Sequence, residues 1–394
     1  MLFAKQYLDQ IRVVFLPYSL PTVKEYTNQC YSLLVRKEWR HMRAAVIEEL
    51  NRPLVIRNVP DPECPPDGAI IRVGANGICR TDWHLWTNDW AWRGLAIQPP
   101  FVLGHEFSGT VEEVGRNVRS WRQGDRVIFP MNPGEGSCEW CRSGNQHVCD
   151  SGVKLVPGVS YWGAFAEYVM VQYADVNLVR LPESLSFVDS ASMACRYMAA
   201  FHGVVDQAEV RGGEWVVVHG AGGGMGLSSV QIAAAVGARV IAVDVSERAL
   251  SAAHTVGAEF TINSRKESPI EAVRAITKGG AHVSIDALGI AETCRNSVLS
   301  LRKLGRHIQL GHTTRKEEGY VPLPIDVILL NELRLFGSFG MQGQRFGTML
   351  SMCEAGILRP AQVVSKEVDL GGINDVLEAM GDFDTTGIVV ISGF

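Results

Sequence analysis

Residues 214–237 read EWVVVHGAGGGMGLSSVQIAAAVG. The opening is a β-branched run that stops at glycine, the composition of a buried strand. The close, from Gly226, is a helix of small and apolar residues that stops at Gly237. The loop between them carries the fold. A strict G-x-G-x-x-G cannot be laid on it, but Gly220, Gly223 and Gly226 fit G-x-x-G-x-x-G, with Gly224 in the same loop. Glycines between a strand and a helix let the backbone turn tightly and approach a pyrophosphate at the helix N-terminus. Residues 215–238 hold no Asp, Glu, Lys or Arg, yet the glycines break the run that a membrane span requires. The stretch therefore reads as strand, turn and buried helix.

About twenty residues beyond the loop, Asp244 stands at the end of the predicted strand in RVIAVDV. A carboxylate there accepts hydrogen bonds from the adenosine ribose and repels a 2′-phosphate, so NAD is expected rather than NADP. A helix-capping carboxylate is the plainer role for the same residue. Arg248, in the helix that Ser246 opens, is a further candidate cofactor contact.

The same rhythm continues outward. EFTIN, HVSIDALG, RHIQLGH and LRLFGSFG alternate with SERALSAAHTVG, SPIEAVRAITKGG and AETCRNSVLSLRKLG, the last read as helical to Gly305. Six strands separated by helices predict a Rossmann-type, doubly wound parallel sheet over residues 197–340. Before it, from Met42, the pattern is short strands with Gly and Pro turns, a β-rich domain over residues 42–196. Residues 341–394 add a helix and a β-rich end, TTGIVVISGF, expected to return to that first domain. Residues 1–41 mix acids with bases, lack a cleavable signal pattern, and read as an extension outside the fold.

The chain has 394 residues, 46% hydrophobic and 20% charged, with a net charge of −5. That is the composition of a globular enzyme, and it argues against nucleic acid or an anionic membrane as partner. Nine cysteines are too sparse for a disulfide framework, and their clustering points to metal binding in a reducing compartment such as the cytoplasm. Three fall in NPGEGSCEWCRSGNQHVC: Cys138, Cys141 and Cys149. Structural zinc wants four ligands, and this spacing supplies three.

Two further stretches carry chemistry: NGICRTDWHLW, with Cys79, and PPFVLGHEFSGTV, with His105 and Glu106. Either alone fits a buried cysteine or an ordinarily bonded histidine. Beside a dinucleotide domain they become specific. From Met42 onward the chain resembles the zinc-dependent alcohol dehydrogenases of the medium-chain dehydrogenase/reductase superfamily.

The resemblance implies a GroES-like catalytic domain and two zinc ions. Cys79, His105 and Cys195, the last in SMACRYMAAFHGV, would hold the catalytic zinc and leave one position open. Glu106 matches a glutamate that approaches the metal as substrate leaves, and Asp82 the carboxylate that orients the ligating imidazole. Zinc lowers the pKa of an alcohol, which then delivers hydride to the nicotinamide. Thr81 would take the proton and pass it through the cofactor ribose to His84, a ring expected to titrate near neutrality. Arg80 would meet the pyrophosphate. A tryptophan at the place of Trp86 narrows the substrate pocket in the small-alcohol branch.

The family's second zinc sits on four cysteines spaced C-x-x-C-x-x-C-x7-C. Here the first place falls on Glu135, so a carboxylate would complete the closed, structural site with Cys138, Cys141 and Cys149. A metal-free lobe or another donor are the alternatives. The expected substrate is a small alcohol or carbonyl compound and the expected assembly a homodimer or homotetramer. A dehydrogenase of a cyclic or CoA-linked hydroxy compound, or a non-catalytic cofactor-binding protein, would share most of these features. Intact zinc ligands weigh against the last.

Overall fold

The computed structural model describes residues 41–383 and 385–394. Of the expected 1–41 extension, all but His41 lies outside the described residues, and His41 opens the first strand.

Two antiparallel sheets come first. β1 (His41–Ile47) pairs with β2 (Val55–Pro60) across a turn. Next come β3 (Ala69–Ile78), β4 (Phe101–Val102) and β5 (Glu106–Val114). They are followed by β6 (Arg126–Ile128), β7 (Tyr168–Val171) and β8 (Val179–Arg180). β4 joins β1, while β5 crosses over to lie against β3 and continue through β6 to β8. Phe107, Phe129 and Val169, all at most 1% exposed, fill this layer.

A helical segment, residues 187–207, leads out of these sheets. It contains two π-turns, Met193–Tyr197 and His202–Gln207, around an α-helical turn, Met198–Phe201. The expected boundary between residues 196 and 197 falls inside this segment. Single π-turns widen a helix locally and often mark functional positions.

The glycine-rich half then forms β9 (Trp215–His219), β10 (Arg239–Asp244), β11 (Phe260–Asn263), β12 (Ala281–Asp286), β13 (Leu301–Gln309) and β14 (Arg334–Gly337). All pair in parallel, in the order β11-β10-β9-β12-β13-β14. Val216, Val218, Val240, Val283 and Ile285 are fully buried, as expected of strands covered on both faces. The order reverses between β9 and β12, so the crevice for a ligand opens at their carboxyl ends.

One boundary differs from the sequence reading. The helix expected to reach Gly305 stops at Leu299, and β13 begins two residues later. Leu301 is 7% exposed and pairs with Ala281, yet Val283 pairs with Arg306. Residues 302–305 are therefore pushed out of the ladder as a wide bulge. Helix-forming side chains gave no local sign of it.

At the end of the chain, β15 (Val364–Asp369) and β16 (Ile388–Gly393) return to the first half. β16 pairs antiparallel with β3, Val389 opposite Ile78. Among the described residues no helix is long and apolar enough to cross a membrane.

Candidate active site and metal centres

The glycine loop lies at the carboxyl end of β9. Gly220 has φ +72°, and a Cβ on Gly226 would stand 2.2 Å from the Gly220 carbonyl oxygen. Only glycine permits that turn and that approach. Gly223 caps the helix Gly224–Ala235, whose free N–H groups face the crevice. Asp244 holds the loop from the next strand: its Oδ2 accepts from Gly222 N at 2.9 Å, and Oδ1 from Val245 N at 2.7 Å. Arg248 donates to Thr386 Oγ1 at 3.1 Å. A cavity of about 340 Å³ runs from this loop to Cys79 and Cys195, with Asp244, Arg248, Arg80, Thr81 and His84 also on its wall.

At the inner end, ligand atoms of Cys79, His105, Glu106 and Cys195 lie within 4.8 Å of one another. Cys79 precedes the helix Arg80–Trp86 and His105 precedes β5, while Cys195 sits on the first π-turn. Asp82, fully buried, ties the first two together. Its Oδ2 accepts from Cys79 N at 2.8 Å and its Oδ1 from Gly104 N at 3.2 Å. The same Oδ1 stands 3.2 Å from His105 Nδ1, outside hydrogen-bond alignment. Both His105 ring nitrogens are buried without a hydrogen-bond partner. Such orphaned nitrogens beside two thiols are what a soft divalent cation satisfies, so the residues fit a zinc ion. The Cys195 thiol, by hydrogen bonding, also holds the Cys79 thiol well below its ordinary range.

Glu106 has a partner the sequence did not reveal. Arg196 Nε donates to its Oε1 at 2.8 Å, and a terminal nitrogen donates to Oε2 at 2.5 Å. The same guanidinium reaches the Ile78 carbonyl at 2.9 Å. Burial pushes the Glu106 carboxyl up, against the pull of Arg196. The pair is nearly inaccessible, with side-chain exposures of 9% and 0%. Glu106 thus stands within the metal cluster with its carboxylate held by Arg196, close enough to approach a metal there. A charge inside the apolar stretch SMACRYMAAF was the available signal.

His84 also departs from expectation. It is 4% exposed, stacks on Trp90 with ring centroids 4.4 Å apart, and places Nδ1 2.7 Å from Asp89 Oδ2. Burial, with Arg80 nearby, drives its pKa down to about 4, so the ring is neutral at neutral pH and does not titrate there. Nδ1–H then donates to Asp89 and leaves Nε2 as an acceptor. Arg80 donates to the Met380 carbonyl and lies between the rings of Trp83 (3.9 Å) and Phe383 (4.5 Å). Burial lowers it to about 10, which keeps it charged.

Trp86 does not line the cavity. Its Nε1 donates to Arg52 O at 2.7 Å and its ring packs in the core of the first sheet. The wall is built by Trp90, which meets His312 edge-on at 5.4 Å, and by Phe339, 6.1 Å from His312.

The second cluster is local. Ligand atoms of Glu135, Cys138, Cys141 and Cys149 lie within 4.8 Å of one another. Cys138 and Cys149 sulfurs are 3.7 Å apart, far beyond a disulfide. Two thiolates on one tetrahedral zinc, each at about 2.3 Å, would stand roughly 3.8 Å apart. The donor set therefore fits zinc. Glu135 is aimed by Ser137 N, 3.0 Å from Oε2, and by Cys138 N, which donates to Oε1.

Comparison with known proteins agrees with this geometry. Residues 65–183 match the alcohol dehydrogenase GroES-like domain and residues 224–355 the zinc-binding dehydrogenase domain. An NAD-dependent alcohol dehydrogenase of Sulfurisphaera tokodaii is 35% identical over 89% of this chain and 99% of its own length. One from Saccharolobus solfataricus is 32% identical with the same coverage. Among solved structures, the alcohol dehydrogenase of Aeropyrum pernix superposes with a TM-score of 0.79 at 29% identity, covering 89% of this chain and 99% of that one. With two domain matches and relatives aligned over nearly their whole length, the chain belongs to the zinc-dependent alcohol dehydrogenases of the medium-chain dehydrogenase/reductase superfamily.

Proposed function

We propose that the chain transfers a hydride between an alcohol and NAD, with Cys79, His105 and Cys195 holding the catalytic zinc. One observation carries this reading: a single cavity joins the thiol–imidazole cluster to the glycine loop and Asp244. When bound, zinc supplies Lewis acidity and NAD accepts the hydride. The chain's residues do the rest. Asp82, 3.2 Å from His105 Nδ1, is placed to orient the ring once it binds metal, and Arg80 and Arg248 meet the phosphates of the dinucleotide. Thr81 and His84, three apart on one helix and both on the cavity wall, form a proton path. Thr81 Oγ1 takes the substrate proton, and the neutral His84 Nε2 accepts it in passing and releases it onward to solvent. The wall of Trp90, His312 and Phe339 supports aromatic or cyclic alcohols over ethanol. NADH formation over a panel of primary, secondary, aromatic and cyclic alcohols tests the reading; zinc-loaded protein that reduces NAD with none of them would overturn it.

The catalytic part comprises residues 42–196 and 341–394 and the cofactor part residues 197–340. Tyr320, Ile325, Leu329 and Leu330 are 66–85% exposed beside the edge strand β14, an apolar surface that supports a homo-oligomer. Cys79, Cys138, Cys141, Cys149, Cys195, Cys294 and Cys353 form no disulfide among the described residues, which supports a reducing, cytoplasmic setting.

Asp244→Ala removes an acceptor for the ribose and the repulsion of a 2′-phosphate. Charge-assisted hydrogen bonds of this kind contribute about 1.5–3 kcal/mol. The KM for NAD should therefore rise about 10- to 100-fold while that for NADP falls or holds. Unchanged discrimination between the two cofactors would remove Asp244 from this role.

Glu135 is proposed as the fourth ligand of the structural zinc. Glu135→Ala should lose zinc from the lobe under chelator and melt earlier, whereas Glu135→Cys should retain it. Zinc per chain by elemental analysis, equal in parent and alanine variant after identical chelation, would make Glu135 a bystander.

A further inference from the structure

The dinucleotide crevice occupies the carboxyl ends of the parallel strands. At their amino ends lies a second cavity, of about 490 Å³. It is bounded by residues 207–211 and by the starts of β9, β12, β13 and β14. Its lining is unlike the rest of this acidic chain. Arg211, Arg302, Lys303, Arg306 and Arg334 face only two carboxylates, Glu209 and Glu214.

Those two carboxylates are already matched. Arg306 pairs with Glu214, and Arg211 lies 3.7 Å from Glu209. Among the described residues no carboxylate stands within ion-pair distance of Arg302, Lys303 or Arg334. The bulge in β13 brings the first two to the cavity. It is held there by Leu304, which is 63% exposed, adopts φ +62° and donates its N–H to Asn331 O at 2.8 Å. A left-handed, largely exposed leucine is a costly way to place two cations.

His282 gives an independent sign. Its Nδ1 accepts from Trp215 N at 3.0 Å, so in the neutral ring Nε2 carries the proton. Burial and Arg302 hold the ring below its ordinary pKa, which keeps it neutral. Yet Nε2 stands 2.8 Å from a guanidinium nitrogen of Arg302, which is also only a donor. Two donors therefore face one another at hydrogen-bond distance in an exposed contact, where no acceptor from the described residues lies between them. An acceptor from outside the chain satisfies both.

We propose that this cavity is a second ligand site, separate from the dinucleotide crevice, for a small phosphate-bearing anion. Arg302, Lys303, Arg334 and His282 Nε2–H are its donors. A phosphate dianion offsets the three unmatched cations to within one charge, where a carboxylate would leave two of them uncompensated. Phe336 and Leu304 add an apolar surface, and the volume is that of an ordinary small-molecule site. The phosphate could be free oligophosphate or part of a metabolite; the chemistry recognised is the same.

Calorimetric titration of the full zinc-loaded chain, saturated with NAD to fill the other crevice, tests the proposal. Inorganic pyrophosphate and glucose 6-phosphate are the two probes, with sodium chloride at matched ionic strength as control. Saturable binding of one probe per chain is expected, weakened at least about tenfold in Arg302→Gln/Lys303→Gln and again in Arg334→Gln on the neighbouring strand. Alcohol-dependent NADH formation and the thermal midpoint of these variants should match the parent, because all three side chains are exposed and remote from the metal cluster. Tighter pyrophosphate assigns the site to free oligophosphate, tighter sugar phosphate to a metabolite. Failure of both to bind, equal affinity in the variants, or heats reproduced by sodium chloride would each overturn the site, and none of these bears on alcohol oxidation.

Discussion

His105→Asn and Cys79→Ser should each lower kcat by at least about 10³-fold, the loss expected when several kcal/mol of Lewis-acid stabilisation disappears. Both side chains are buried in the cluster, and the glycine loop and Asp244 do not depend on them. NAD affinity should therefore stay within a few-fold of the parent, read by quenching of tryptophan fluorescence. Zinc content should fall from about two per chain to about one, since the Glu135 cluster remains whole. A variant that keeps both zincs and turns over within about tenfold of the parent would sink the assignment. Loss of NAD affinity to the same extent as kcat would instead indicate collapse of the cavity. These two readouts separate ligation from folding.

Glu106→Ala should be the most destabilising single change at the site. It strands the Arg196 guanidinium, which is 7% exposed and whose other hydrogen bond among the described residues goes to the Ile78 carbonyl. Removing one partner of a buried pair costs about 3–5 kcal/mol, because the other charge stays buried and uncompensated. The thermal midpoint should drop by roughly 4–7 °C. Glu106→Gln retains two polar contacts to Arg196 and should lose less. The double variant Glu106→Leu/Arg196→Met, which removes both charges, should recover much of the stability. If the single and double variants melt together, the ion pair is not what the alanine substitution breaks.

The parallel sheet was legible because each of its strands ends at glycine or a polar turn, and because 214–237 can hardly be read another way. The bulge at 302–305 was not. RLKL-type composition, here RKL between Leu301 and Gly305, is as good in a helix as anywhere, and only pairing with β12 pushes it out. The residues that gather in the two candidate metal clusters were legible through short motifs that the family resemblance made specific. Their surroundings were not, since Arg196 and Glu106 lie 90 residues apart in the chain. Trp86 and Trp90 show the same limit on a smaller scale. Both look alike in WTNDWAW, but Trp86 ends a helix facing the core while Trp90, past its end, turns to the cavity. His84 was misjudged for a related reason: its pKa depends on burial beneath Trp90, which its neighbours in sequence do not show.

The two metal clusters differ in how far apart their ligands stand along the chain. Glu135, Cys138, Cys141 and Cys149 fall within one short segment, so closing that ring costs little entropy and needs no sheet around it. Cys79, His105 and Cys195 come from a helix start, a strand start and a π-turn, with roughly a hundred residues between the first and the last. During synthesis, the lobe can capture its zinc while most of the chain is still emerging. The catalytic set exists only after the antiparallel layers have closed around Asp82 and Glu106. The lobe's ligand set is thus complete as soon as Cys149 has been made, whereas the catalytic set waits for Cys195.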